Sequence, residues 1–117
     1  MSSEEEEIVE QIAKLNDLCR TAPGVAGRLV QTAGISALPL PVQSAIRENV
    51  ERFSDFGPDN DPHGERDFGA LTVQGVSEKI FWKIDYYADR SCTFGSEDPS
   101  DPAQCFRVLT IMLASEY

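Results

Sequence analysis

The first hydrophobic pattern along the chain is that of an amphipathic helix. Apolar side chains recur at i, i+4, i+7 and i+11, which places them on one helical face: Ile8, Ile12, Leu15 and Cys19, supported by Leu18. Ser3 and Glu6 have the spacing of a capping box, and the glutamates around them suit the positive end of a helix dipole. We predict a helix that begins near residue 4 and ends at Pro23–Gly24, and we expect the acidic N-terminus, residues 1–7, to be frayed.

The next two elements are predicted from a change of composition. Residues 28–38 combine β-branched and apolar side chains with small residues between Gly27 and Pro39, which is typical of a strand. Pro41 suits the first turn of a second helix. Its apolar side chains again share one face, so we predict that this helix ends near Asp55.

A hairpin is predicted in the second half of the chain. Phe68–Val73 and Ile80–Tyr87 have strand composition, and the turn residues Gln74–Ser77 separate them. In the second strand, alternation places Ile80, Trp82, Ile84 and Tyr86 on one face and Phe81, Lys83, Asp85 and Tyr87 on the other. Aromatic side chains occur on both faces, so this strand is predicted to be central.

The last element is predicted to be a helix. Asp101 suits the N-cap of a helix. Pro102 would then occupy the first helical position and Gln104 the third. Apolar side chains then follow at helical spacing up to Leu113. The predicted fold is a single α+β domain over residues 1–117, with elements in the order α-β-α-β-β-α and a small antiparallel sheet of about three strands packed against helices.

Composition and charge narrow the classes of function. The 117 residues include 20 acidic and 10 basic side chains, and the net charge of −10 disfavours direct binding to nucleic acid or anionic lipid. No apolar run is long enough to span a bilayer, and the acidic start is unlike a signal peptide. We expect a cytoplasmic protein without membrane contacts.

The cysteines and known motifs point to no cofactor. Cys19, Cys92 and Cys105 are far apart and form no CxxC pair, which fits a reducing compartment. We expect Cys19 and Cys105 to be buried on helix faces and Cys92 to be exposed. No GxSxG, HExxH, Walker or GxGxxG motif is present.

An acidic loop at residues 56–67 contains the first candidate site. Its candidate ligands alternate along the chain: Asp59, Asp61, His63, Glu65 and Asp67. Clustered oxygen ligands suit Ca²⁺ or Mg²⁺, but the spacing is not that of an EF-hand, so a metal remains unassigned. A solvated loop with Asx turns explains the same residues. His63 is the single histidine, and a surface position explains it better than a catalytic role does.

The central strand contains the second candidate site. Lys83 and Asp85 share a face, and Glu65 or Asp67 at the start of the neighbouring strand is expected to approach them. Such a polar site, completed by Tyr87, has the groups needed for acid–base chemistry. A cross-strand ion pair on a solvated face is the alternative. Trp82 is a candidate binding residue, although core packing is its first explanation.

Three segments resemble a known family. They are Asn60–Gly69, Phe81–Tyr87, and Asp98–Pro102 leading to Arg107–Leu113 and Glu116-Tyr117. Together they resemble a small domain family of unknown function that is common in alphaproteobacteria and often encoded on plasmids and other mobile elements. The resemblance covers most of residues 8–117. The family often has a histidine after the glutamate of the first segment, where this chain has Arg66.

These observations lead to two functional hypotheses. The first is a noncatalytic acidic factor that binds another protein, as an anti-defence or accessory protein of a mobile element that competes for a nucleic-acid-binding surface. The second is a small enzyme, or a domain that binds a ligand or metal, using the acidic loop with Lys83 and Asp85. A homodimer formed through the aromatic strand or the last helix is a further alternative.

Overall fold

The computed structural model describes residues 2–117. The described residues form four helices, four strands and one 3-10 turn. In chain order these are α1 (Ser3–Thr21), α2 (Pro23–Ala26), β1 (Arg28–Gln31), α3 (Ala33–Ser36), α4 (Leu40–Glu51), β2 (Phe68–Leu71), β3 (Ile80–Tyr87), β4 (Phe106–Leu113) and the 3-10 turn Ala114–Glu116. The predicted α+β class is confirmed. Within residues 2–117, no helix is both long and apolar enough to cross a membrane.

The four strands form one mixed sheet in the order β1-β4-β3-β2. The predicted hairpin is confirmed, because β2 pairs antiparallel with β3 and Phe68 lies opposite Lys83. β3 also pairs antiparallel with β4, and β1 pairs parallel with β4. The sheet therefore has one strand more than predicted, and its outer strand β1 makes it mixed rather than antiparallel.

The prediction of a final helix is wrong, because residues 106–113 form the strand β4 between β1 and β3. Val108, Leu109, Ile111 and Met112 are all buried, so the strand is shielded on both faces. A short apolar run of this kind satisfies helical and strand periodicity equally. Asp101 does not cap a helix; its carboxylate accepts a hydrogen bond from the Ala103 amide, at 2.9 Å, and closes a turn.

The boundaries of several elements also differ from those predicted. Ser2, not Ser3, caps α1, since its hydroxyl accepts a hydrogen bond from the Glu5 amide at 3.2 Å. The predicted strand 28–38 ends at Gln31, and the short helix α3 follows. α4 ends at Glu51 rather than near Asp55.

The C-terminal end of α4 is bound by a side chain of α1. The guanidinium of Arg20 donates hydrogen bonds of 2.9–3.1 Å to three main-chain carbonyls there, those of Val50, Glu51 and Phe53.

The helices pack against one face of the sheet. α1, α3 and α4 contribute buried side chains to the core, which meets β3 and β4 on the Trp82 face: Cys19, Ile35, Ile46, Val50, Ile80, Trp82, Ile84, Leu109 and Ile111. The ring of Phe53 meets that of Trp82 edge-on, with 5.4 Å between the ring centres. We call the opposite face, with Phe81, Lys83, Asp85 and Tyr87 on β3, the open face.

Candidate functional site

Asn16 lies at the centre of a buried polar network between α1 and the sheet. The side chain is fully buried. Its Nδ2 donates to the Glu65 carbonyl at 2.9 Å and to the Tyr86 hydroxyl at 2.8 Å. Its Oδ1 accepts from Nε of Arg107 at 2.7 Å. One amide therefore joins α1, the acidic loop 56–67 and β4, and satisfies polar groups that burial would otherwise leave unpaired.

Tyr86 holds the Glu65 carboxylate on the helix-covered side of the sheet. The Tyr86 hydroxyl donates to Oε1 of Glu65 at 2.8 Å, and the Arg107 guanidinium lies 5.1 Å from the centre of the Tyr86 ring. Burial raises the pKa of the Tyr86 hydroxyl far above its ordinary range. The phenol therefore stays protonated and acts as a hydrogen-bond donor to Glu65.

Asp67 forms the junction between the acidic loop and the sheet. Its carbonyl accepts a hydrogen bond from the Ile84 amide at 2.8 Å. Burial raises the pKa of its carboxyl, and the neighbouring Glu65 carboxylate raises it further. The two carboxylates thus lie on the same side of the sheet, without a basic side chain that pairs with either of them among residues 2–117.

Arg66 attaches the acidic loop to α1. Its backbone has a φ of 55°, in the left-handed region. The guanidinium binds both carboxylate oxygens of Asp17, at 3.1 and 2.7 Å, and lies 3.6 Å from Glu10. The hydrogen bond to Asp17 raises the pKa of Arg66. Asp17 also pairs with Arg20 at 2.9 Å, so one carboxylate links two guanidinium groups.

The remaining candidate residues of the acidic loop do not converge on one point. Asp59 and His63 are exposed, whereas the Asp61 carboxylate accepts from the Arg66 amide at 3.1 Å as part of the loop's own structure. Across residues 2–117, no group of three or more His, Cys, Asp or Glu side chains is placed to hold a metal ion. The exposed carboxylates of the loop therefore form part of the protein surface and do not gather at one point.

This surface continues onto α1. A groove of about 520 Å³ separates the first turns of α1 from the acidic loop. Glu6 and Glu10, one helical turn apart, line one wall, and Asp61 and His63 line the other. We call the surface formed by residues 4–10 and 55–67 the acidic face.

The open face holds the other candidate pair. Nζ of Lys83 lies 3.0 Å from Oδ2 of Asp85, and both side chains are more than a third exposed. With Tyr87 and Thr110 they line a shallow groove of about 510 Å³. The expectation that Glu65 or Asp67 approaches this pair is wrong. Asp67 lies opposite Ile84, so its side chain is on the helix-covered face. Glu65 binds Tyr86, whose side chain points to the helix-covered face.

The structure also shows the positions of Trp82 and of the three cysteines. Trp82 has no accessible surface and lies in the core, where it cannot contact a partner of the folded protein. Cys19 is buried as predicted, and burial raises the pKa of its thiol to about 11. Cys92 and Cys105 are both half-buried.

A comparison with known proteins identifies a family. Residues 31–116 match the model of DUF3768, a protein family of unknown function. The chain belongs to the DUF3768 family. No curated protein and no solved structure matches it. The DUF3768 match contains Glu65, Tyr86 and Arg107, whereas Asn16, which joins them, precedes the matched region.

The buried polar residues of the network in this DUF3768 chain are not among the candidates predicted from its sequence. Asn16, Arg20 and Arg107 are each at least 95% buried, although residues of these types are usually exposed. A signal for Asn16 was present, because it lies four residues after Ile12 and three before Cys19, on the buried face of α1. No comparable signal marked Arg107, because its segment was predicted to be helical.

Proposed function

We propose that this protein is a noncatalytic factor that binds another protein through the acidic face. The observation that carries the proposal is the placement of the glutamates of α1 beside the acidic loop across one groove. In the sequence these two groups of carboxylates are about fifty residues apart. Their combination on one surface favours a partner with a complementary basic surface.

The charge of the acidic face is poorly compensated. Arg66 pairs closely with Asp17, at 2.7 Å, and lies farther from Glu10, at 3.6 Å. Glu6 and Asp59 are exposed and take part in none of the ion pairs of residues 2–117. Uncompensated carboxylates on one side of a molecule create a field that steers it towards basic partners.

The chemistry of such a partner is that of a nucleic-acid-binding protein. Basic grooves that normally hold phosphates attract spaced carboxylates by the same long-range electrostatics. Competition for such a groove would inhibit the partner without catalysis. We extend the proposal to an accessory or anti-defence role on a mobile element, which rests on the resemblance to a family often encoded on such elements.

The test is affinity capture from an alphaproteobacterial lysate, with mass spectrometry of the recovered proteins. Glu6→Gln combined with Asp59→Asn removes two charges from the acidic face. Glu48→Gln combined with Glu51→Gln removes two charges from exposed positions of α4 and serves as the matched control. We expect the first variant to recover about tenfold less of a nucleic-acid-binding partner than the control does, and a high-salt wash to remove that partner.

Two outcomes would contradict the proposal. If both double variants recover the same partners as the unmodified protein, the acidic face is not the binding surface. If a recovered partner stays bound in high salt, electrostatic competition is wrong.

The groove on the open face favours a second candidate function, which is binding of a small ligand or metal, or a small enzymatic activity. Lys83, Asp85 and Tyr87 supply a cation, an anion and a phenol along its floor. Asp85→Ala should then abolish binding or activity while leaving the thermal midpoint of the unliganded protein unchanged. A screen of metals and metabolites by thermal shift tests this candidate, and a midpoint that no compound raises would count against it.

A further inference from the structure

Three arginines gather at the beginning of β4, in a protein whose net charge is −10. The guanidinium carbons of Arg28 and Arg90 lie 5.1 and 5.0 Å from the centre of the Phe106 ring. Arg107 follows Phe106 in the chain. None of the three belongs to an ion pair with any carboxylate of residues 2–117. Guanidinium groups that no carboxylate neutralises favour the binding of an anion.

The carboxylates nearest in the chain are used elsewhere. The loop between β3 and β4 contains several acids, and each of three binds groups of its own turn. Asp89 accepts from Ser91 and Asp98 accepts from Ser100. Asp101 accepts from Ala103 and Gln104. Within residues 2–117, the arginines therefore have no carboxylate partner from this loop; Arg28 donates to Sγ of Cys92 at 3.8 Å, and Arg107 to a main-chain carbonyl.

Two of the arginines line a cavity of about 330 Å³ between α1, α2 and this loop. Its other walls are largely apolar, with Leu15 and Leu18 from α1 and Phe106 from β4. Arg107 is 96% buried, and its Nε and Nη2 bind Asn16 and the Pro99 carbonyl. Among residues 2–117, Nη1 has no hydrogen-bond acceptor besides these contacts. We call this space the arginine cavity.

We propose that the arginine cavity binds a small carboxylate with an apolar body. The planar guanidinium presents paired N–H donors that match the two oxygens of a carboxylate. Leucine and phenylalanine side chains beside these donors suit an aliphatic or aromatic group, as in most small-molecule sites. A mineral anion such as phosphate would use the arginines but leave the apolar walls without a partner.

The first arm of the test measures binding of hexanoate to the full chain by calorimetry, with hexanol and acetate as matched probes. Hexanol keeps the apolar body and lacks the charge, whereas acetate keeps the charge and lacks the body. We expect hexanoate to bind at least about tenfold more tightly than either probe. Amide resonances of Leu18, Val25 and Gly27 should shift on binding, since these residues line the cavity.

The second arm uses variants. Arg90 is exposed, so Arg90→Gln should preserve the fold while lowering hexanoate affinity about tenfold. Arg52→Gln is the control, because it removes one exposed arginine charge from the end of α4. Arg107→Gln also removes the bond to Asn16, so it is interpreted only if the variant folds.

Three results would overturn the proposal. They are no binding of hexanoate at millimolar concentration, equal binding of hexanoate by Arg90→Gln and the unmodified protein, and binding of inorganic phosphate as tight as that of hexanoate. The first two exclude an anion site at this cavity. The third excludes the role of the apolar walls. None of them bears on protein binding through the acidic face, which lies against the other half of α1.

Discussion

At the scale of single residues, the candidate site depends most on Asn16. Its amide makes three hydrogen bonds of 2.7–2.9 Å, to the acidic loop, to β3 and to β4. The same network fixes the loop between β3 and β4, because Arg107 also donates to the Pro99 carbonyl at 2.6 Å. This loop and the acidic loop are therefore held by one pair of side chains, Asn16 and Arg107.

Replacement of Asn16 by leucine should destabilise the protein strongly. Leucine has a similar volume, but it leaves Nε of Arg107 and the Glu65 carbonyl without partners in the interior. We expect the free energy of unfolding, measured with urea, to fall by about 3 kcal/mol. Asn49→Leu on the exposed side of α4 is the control and should change it by less than about 0.5 kcal/mol. Similar values for the two variants would contradict the role of Asn16.

Asp67 should make the stability depend on pH. Burial raises the pKa of its carboxyl above the ordinary value of 3.8, so the native protein holds this proton more tightly than the unfolded chain. The stabilisation from this proton is complete below pH 3.8 and is lost as pH rises through the raised pKa. Asparagine carries no charge at any pH, so Asp67→Asn removes this loss. At pH 7, the urea concentration at the midpoint of unfolding should therefore be higher for the variant than for the unmodified protein.

The measurement is a series of urea titrations from about pH 4 to pH 7, in which the advantage of Asp67→Asn should grow with pH. Asp59→Asn removes the same charge from an exposed position and serves as the control. If the two variants follow the same pH profile, burial of Asp67 has no effect on stability.

At the scale of elements, the packing of β2 on the core depends on Gly69. A Cβ atom at this position would overlap the indole nitrogen of Trp82 and lie 2.8 Å from Cζ of Phe53. Both rings are fixed in the core, so neither can move aside cheaply. We expect Gly69→Ala to lower the free energy of unfolding by about 2 kcal/mol.

Gly24→Ala in α2 is the matched control, because a Cβ atom there meets no atom within 4 Å. It should leave the stability unchanged or raise it by up to about 1 kcal/mol. Thermal unfolding of both variants checks the prediction. An unchanged midpoint for Gly69→Ala would mean that β2 shifts freely against Trp82.

The elements that the sequence predicted well are those whose pattern fits only one periodicity. α1 and α4 have polar residues on one side and apolar residues on the other, and turn residues separate the two strands of the hairpin. β4 has apolar residues on both faces, so its pattern does not distinguish a strand from a helix, and the helix that the sequence predicts there is wrong. The acidic loop was predicted from its turn residues. The network of Asn16 and Arg107 was not, because it depends on contacts between residues 91 positions apart.

At the scale of the whole molecule, charge is distributed unevenly. The acidic face adjoins the N-terminal half of α1, whereas the arginine cavity lies beside its C-terminal half. An excess of carboxylates on one side destabilises the folded state through self-repulsion, which dissolved salt screens. The stability of the protein should therefore increase with ionic strength.

We expect the thermal midpoint to rise by roughly 5 °C between low salt and physiological salt, which corresponds to on the order of 1 kcal/mol for a domain of this size. The two double variants locate the effect. Glu6→Gln with Asp59→Asn and Glu48→Gln with Glu51→Gln both change the net charge from −10 to −8. Repulsion grows as charges approach one another, so the first pair should reduce the salt response more than the second. An equal reduction would mean that the carboxylates act as an evenly spread charge, and the acidic face would then lose its electrostatic distinction from the rest of the surface.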